Sequence, residues 1–296
     1  MRVLVAASIV VVIALIAAGF FWVNRPQLVS ILAPPPADFP RDSFSHEAFE
    51  SVLGLYLDDK GNVDYETWHS TPDSVARLDA YLAAVSLYSP DSTPERFTSR
   101  NEELVYWIQG YNAYVIKSVL DHWPIDSVTD VKAPIEAVTG LGFFYRLRFK
   151  FGGVAYSLFS VENDKIRGQY RDARIHFVLN CASESCPVLR PELPTGPALD
   201  TLLQDAAMQF VSDPRNVSID HRAKTITLST IFKWFRKDFI NDLQLHGRST
   251  NRGLIDYVAS VAPDDLRSEL DGTDGYELVF REYDWAINSS DLQEDL

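Results

Sequence analysis

The chain has 296 residues, 46% of them hydrophobic, with 41 Asp and Glu against 27 Lys and Arg, for a formal charge of −14. That length and apolar content can bury a large core, and the acidic balance repels nucleic acid and anionic lipid headgroups. With only two cysteines, Cys181 and Cys186, a disulfide-stapled scaffold is excluded.

The N-terminus opens on an uncharged stretch, Val3 to Val23, rich in Val, Ile, Leu and Ala and followed by Asn24, Arg25 and Pro26. It is long enough to cross a bilayer, so residues 1–25 are expected to be a transmembrane anchor. A cleaved signal sequence is the alternative, with Ala17-Ala18-Gly19 as the cleavage site, although the apolar run continues past it through Trp22. No cysteine follows the run, which excludes a bacterial lipid anchor on a mature N-terminus. Only Arg2 precedes the span, so the short tail is expected to stay in the cytoplasm and the bulk of the chain to be exported. The expected location is the cell membrane, single-pass, with the globular part in the periplasm or outside the cell.

Residues 26–43 include "APPPADFPRDS", which has four prolines and neither helical nor strand period. It reads as a stiff extended spacer that lifts the following domain off the membrane. From 44 to 288 no second linker or repeat appears, so one domain is expected, followed by an acidic tail at 289–296.

Helical period places Phe49, Val52, Leu53 and Tyr56 on one face of 45–57, and Val75, Leu78, Tyr81 and Leu82 on one face of 73–87. Ser99 and Glu102 form a capping-box pattern ahead of the strongest helix, whose stripe runs Leu104, Ile108, Tyr111, Val115, Val119. Asn112 interrupts that apolar surroundings, and a buried amide must have partners. It either pins a neighbouring loop or orients a catalytic group.

"DDKGNVD" (58–64) has its glycine at the fourth place where a calcium loop needs the sixth, so a turn is expected there. Residues 145–151 alternate, and Gly152-Gly153 turns the chain into "VAYSL", predicting a hairpin with one wet face. "RIHFVLN" (174–180) is a strand candidate, and "VSI" and "TITLS" flank a second hairpin. Helices are expected at about 196–212, capped by Thr195, and at about 230–241, capped by Ser229. "YELVFREYDWAI" closes the domain. Helices and strands mix without alternation, predicting an α+β fold, a single domain with several helices packed on a small, mainly antiparallel sheet.

"HFVLNCASESCP" (176–187) gathers His176, both cysteines, Ser183 and Ser185. Cys181 and Cys186 enclose four residues and can close a tight loop. A structural bridge, a reactive or redox pair, and a metal site are the three readings. Zinc would call for a second cysteine pair, which does not exist, so no metal is expected. On a continuous strand, His176 and Cys181 would lie about 16 Å apart on opposite faces, leaving no dyad unless the chain bends at Asn180. A thiolate near Arg174 or His176 could be activated for nucleophilic or redox chemistry. No HExxH, GxSxG or P-loop pattern occurs, and no cofactor is implied.

Five segments resemble the family of domain of unknown function 547: "YWIQGYNAYVIKSVL" (106–120), "FKFGGVAYSLFSVENDKI" (149–166), "RIHFVLNCASESCPVLRPE" (174–192), "FKWFRKDF" (232–239) and "YDWAIN" (283–288). The resemblance implies shared polar positions at Asn112, Glu162, Asn163, Arg174, His176, Cys181, Ser185 and Cys186. Family members commonly carry Asn-Ala where Gln109-Gly110 stands here. Some relatives are fused to glutaredoxin-like modules, which implies thiol chemistry by association.

The expected site is therefore a cleft with Cys181 as nucleophile or redox thiol, His176 as base, Asn112 and Glu162 as orienting groups, and Arg174, Asn163, Ser185 and Cys186 as binding groups. Such a set could run acyl transfer or hydrolysis, or thiol redox chemistry. The alternative is a non-catalytic envelope binding or scaffold domain with a permanent Cys181–Cys186 bridge. Expected partners are the membrane, through the N-terminal helix, and a small molecule, peptide or envelope protein.

Overall fold

The computed structural model describes residues 2–191 and 196–290, the side chains of residues 2–10 excepted. It begins with α1 (Arg2–Val23). Among the described residues, which leave out the side chains of its first turns, no helix is long and apolar enough to cross a membrane.

The proline-rich spacer does not stand clear of the domain. Its β1 (Gln27–Leu28) pairs in parallel with Leu147 and Arg148. Phe39 stacks on Tyr88, and Arg96 Nη1 donates to the Pro40 and Ser43 carbonyls. Proline removes donors and fixes φ, but its neighbours still bury their side chains where an apolar surface is offered.

Four helices follow: α2 (Glu47–Leu53), α3 (Tyr65–His69), α4 (Pro72–Leu87) and α5 (Arg100–His122). Every residue of α5 from Leu104 to Leu120 is buried, so it forms the axis around which the first core is built. Ser99 caps it by accepting from Glu102 N, while the Glu102 carboxylate reaches back to Thr98 rather than to Ser99. Gly110 allows α5 to approach the sheet, because a Cβ there would lie 2.7 Å from the Phe151 ring.

The first hairpin, β2 (Leu147–Phe151) and β3 (Val154–Tyr156), turns at Gly152 and Gly153, both at positive φ as such turns require. Leu147, Phe149 and Phe151 face the core and Lys150 faces solvent, as alternation predicts. The chain then coils through α6 (Leu158–Ser160), a wide π-type turn (Val161–Arg167) and α7 (Gly168–Tyr170).

The segment expected as a strand at 174–180 is helical instead: Ala173–Phe177 is a 3-10 turn. Asp172 caps it by accepting from Arg174 N at 2.9 Å, a local bond that competes with strand pairing. A short apolar run does not by itself distinguish a buried strand from a buried turn.

Beyond it lie α8 (Leu199–Ser212), β4 (Val217–Asp220), β5 (Thr225–Leu228), α9 (Thr230–Trp234), α10 (Arg236–Leu245), α11 (Leu254–Val261), α12 (Asp264–Asp271) and β6 (Glu277–Phe280). Thr195 lies outside the described residues, and α8 starts from Ala198. Ser229 caps α9 as expected, but the helix breaks at Phe235 before α10.

The fold is α+β, with two small sheets in place of the single one expected. In β1-β2-β3 and in β4-β5-β6 alike, one pairing is parallel and one antiparallel. Two hydrophobic cores form. One surrounds α5 and the other lies among α8 to α11. The 3-10 turn stitches them, with Ile175 in the first and Ala173 and Phe177 in the second. The C-terminal segment is not a free tail at its start: Ser289 is fully buried and Ser290 N donates to Val63 O. Residues 291–296 lie outside the described residues.

Candidate functional site

No strand continues from His176 to Cys181: the chain turns at Val178 and bends at Ala182, and Asn112 holds the stretch between them. Asn112 Nδ2 donates to Val178 O at 2.9 Å, and its Oδ1 accepts from Asn180 N at 3.0 Å. One amide thus satisfies two backbone groups where the chain leaves the 3-10 turn. Asn180 continues the work: its Oδ1 accepts from Ala182 N and its Nδ2 donates to Pro187 O, closing the loop at both ends. Ala182 lies in the left-handed region at φ 60.

Inside that loop Cys181 and Cys186 are joined as a disulfide. Tyr283 Oη lies 3.0 Å from Cys181 Sγ and 3.1 Å from Cys186 Sγ, and Ser183 Oγ lies 3.0 Å from Cys181 Sγ. Bridged sulfurs carry no hydrogen, so the hydroxyls donate. Tyr283 arrives because the C-terminal segment pairs with the loop, Glu184 N donating to Ala286 O and Asp284 N to Ser185 Oγ. Ser185 therefore fastens the loop to the last strand-like segment.

The two sulfurs stand in the wall of a cleft of about 420 Å³ that Glu162, Asn163, Arg167 and His176 also line. Its other walls are aromatic, with Tyr111, Phe144, Tyr145, Phe159, Trp234, Phe235, Tyr283 and Trp285. Trp234, Phe159 and Tyr145 are 49%, 42% and 36% exposed, a cluster of large rings left open at one place. Single exposed aromatics are ordinary, whereas a group of them around a concavity marks a binding site. A larger, more polar groove of about 930 Å³ adjoins on the other side of Cys186, Pro187 and Tyr283.

Residues 94–211 match the model of a family described as "Protein of unknown function, DUF547". That stretch, from 94 to 211, is a DUF547-type segment. No curated protein and no solved structure matches the chain. The DUF547 match covers α5, the first hairpin and the cysteine loop, while Trp234, Phe235, Asp238, Tyr283 and Trp285 come from beyond it.

The charges of this cleft are largely spoken for. Asp238 Oδ2 is 2.9 Å from His176 Nε2 and 2.6 Å from Arg167 Nε. Burial would raise the Asp238 carboxyl, but the His176 and Arg167 bonds outweigh it and hold it down at about 2. Burial pushes His176 below the usual imidazole range, with the Asp238 bond opposing. His176 is 3% exposed and its ring lies 3.9 Å from that of Phe235. Arg167 also bonds Asn163 Oδ1, and its guanidinium sits 4.7 Å over the Phe235 ring.

Glu162 differs. It has no hydrogen bond or ion pair among the described residues. Although the residue retains part of its surface, its carboxyl is deep enough that burial pushes it up to about 7; Arg167 opposes that shift and Asp238 adds to it.

Of the residues singled out from sequence, Cys181, Cys186, His176, Glu162 and Asn163 meet in the cleft. Asn112 stands behind it as the loop clamp. Arg174 is directed elsewhere, bonded by Nε and Nη2 to Asp172 and by Nη2 to Asp200 at 2.8 Å, and does not line the cleft. Sequence reasoning missed Arg167, Asp238, Trp234, Phe235, Tyr283 and Trp285. Most belong to "FKWFRKDF" and "YDWAIN", where charged and aromatic residues read equally well as a solvent face. Among the described residues no group of three or more His, Cys, Asp or Glu could hold a metal ion.

Proposed function

We propose that this chain is an exported, membrane-tethered protein whose aromatic cleft carries out thiol–disulfide exchange at the Cys181–Cys186 pair. One observation carries the reading: the two bridged cysteines, both partly exposed residues, line a cleft that also contains a carboxyl poised near neutrality. A thiolate of an envelope dithiol would attack one bridge sulfur, forming a mixed disulfide and releasing the other sulfur as thiolate. The partner's second thiol, deprotonated, then attacks the partner's own first sulfur, closing the partner's disulfide and releasing the remaining cysteine of this chain as a thiolate. The partner loses two electrons and two protons, and the bridge gains both, with Glu162 suited by its neutral-range carboxyl to relay a proton. Exchange is favoured over acyl transfer because the sulfurs are bridged and the cleft's imidazole is held by Asp238.

Tethering is supported by the unbroken uncharged run Val3 to Val23. Val11, Val12, Ile13, Leu15, Ile16 and Phe21 are all exposed, so the domain does not cover them.

The test is alkylation of the full chain with a maleimide, in membranes or detergent, across a series of glutathione or dithiothreitol buffers without denaturant. Two alkylated cysteines in protein that keeps its native circular dichroism support exchange. A bridge that stays closed until the protein unfolds overturns it and leaves the second reading, a binding or scaffold domain with a permanent clasp. That second reading is favoured by the fastening of the loop to the C-terminal segment, Asp284 N donating to Ser185 Oγ and Glu184 N to Ala286 O, which holds the two cysteines together.

A further inference from the structure

We propose that the aromatic cleft is a binding site for a small organic ammonium ion, with Glu162 as its counter-charge and the rings of Trp234, Tyr283, Trp285, Tyr145 and Phe159 as its walls. The inference shares the cleft with the exchange reading but uses none of its chemistry.

Two features point to a cation. The first is geometric. Trp234, Tyr283 and Trp285 form a continuous aromatic wall, with ring centroids 4.7 Å apart for Trp234–Tyr283 and 4.5 Å for Tyr283–Trp285. Tyr145 and Phe159 stack at 4.5 Å as a second wall of the same cleft. Ring faces carry negative potential and attract alkylated ammonium groups, whose carbon shell also fits an apolar surface.

The second feature is the state of the charges. Arg167, the cation already in the cleft, is bonded to Asp238 and Asn163. His176 is depressed and neutral, and Tyr111, Tyr145 and Tyr283 are all raised, so these phenols are neutral as well. That leaves Glu162 lining the cleft with no hydrogen bond or ion pair among the described residues. Its carboxyl is raised to about 7 because burial, with Asp238 adding to it, outweighs the opposing charge of Arg167. A bound ammonium would supply an ion-pair partner, and a neutral apolar guest would not.

The experiment compares choline with its neutral isostere 3,3-dimethyl-1-butanol on the full-length, bridged protein, by calorimetry and by tryptophan fluorescence from Trp234 and Trp285. No thiol is present, so failure here does not touch the exchange reading, and failure of exchange does not touch this one. Choline is expected to bind roughly tenfold or more tighter at about pH 8, where Glu162 is mostly ionised, and to lose most of that preference at about pH 5.5. Glu162→Gln is expected to abolish the preference at both pH values, and Trp234→Ala to weaken choline severalfold. Equal affinity for the two probes, no binding of either, or a preference that survives Glu162→Gln or persists unchanged at low pH overturns the proposal. The pH comparison needs no variant, so a misfolded Glu162→Gln protein leaves the test intact.

Discussion

The Oδ2 atom of Asp238 stands 2.9 Å from Nε2 of His176, and this contact fixes the tautomer of the ring. A carboxyl held at about 2 can only accept near neutral pH, so Nε2 carries the proton. The imidazole, packed against Phe235, is thereby held in one orientation in the wall of the cleft.

Removing that acceptor should be costly. Asp238→Ala leaves the buried Nε2–H and the Arg167 guanidinium without their shared oxygen, and a loss of about 2–4 kcal/mol is expected. Asp238 is depressed from 3.8 and His176 is depressed too, so both contribute stability that is present above their unfolded values and lost on acidification. Urea unfolding from about pH 7 down to pH 3 should show the Asp238 contribution of wild type fading only below about pH 4, where the gap to the variant narrows. Equal stability of the two proteins at pH 7 would sink this account.

Asn112 offers a sharper case, because its side chain meets only backbone. Asn112→Leu matches the helical stripe but orphans the buried Asn180 N and the partly buried Val178 O. Each unsatisfied group costs about 1–3 kcal/mol, so a loss of about 3 kcal/mol or more is expected despite the added apolar volume. Hydrogen exchange should localise the damage to residues 178–187. A variant as stable as wild type would mean that water replaces the amide.

Asn112 also illustrates what a single sequence reveals. A lone amide in an apolar helical stripe was visible as a misfit, and both hairpins could be read from alternation and glycine turns, because those signals are local. The 174–180 segment was misread because its apolar run suits a strand and a turn equally, and the deciding contact, Asp172 to Arg174 N, is a two-residue cap. Asp238 and Tyr283 gave no local signal. They reach His176 and Cys181 across 62 and 102 positions, and only the packing of α10 and the C-terminal segment onto the loop creates those pairs. The second core was hidden for the same reason, since α11 and α12 acquire meaning from what they cover.

Glu162 predicts a pH effect of opposite sign to that of Asp238. Its carboxyl is raised from 4.5 to about 7, so its contribution is fully present below about 4.5 and is lost as pH climbs through 7. At about pH 8 the wild type holds a buried charge without a partner. Glu162→Gln should then be more stable, by at most about 3 kcal/mol at ~1.4 kcal/mol per unit, with the two proteins converging near pH 4.5. Thermal melts at both pH values check this. A variant less stable at pH 8 would mean that the carboxylate has a partner in solution.

The cysteine pair supplies the last prediction. The bridge closes a loop of four intervening residues, so chain entropy assigns it only about 2 kcal/mol. The loop has other fastenings: Asn180 bonds both of its ends, Asn112 holds its entry, and Ser183 and Glu184 pair with Ile287 and Ala286. Cys181→Ser with Cys186→Ser should therefore lower stability by about 2 kcal/mol while leaving the far-ultraviolet circular dichroism unchanged. Denaturant titration of the bridged and double-serine proteins measures the difference. A double variant that fails to fold would make the bridge a structural necessity, incompatible with a pair that opens and closes during exchange. A small loss in an intact fold is what cycling between two redox states demands, since both states must keep the cleft.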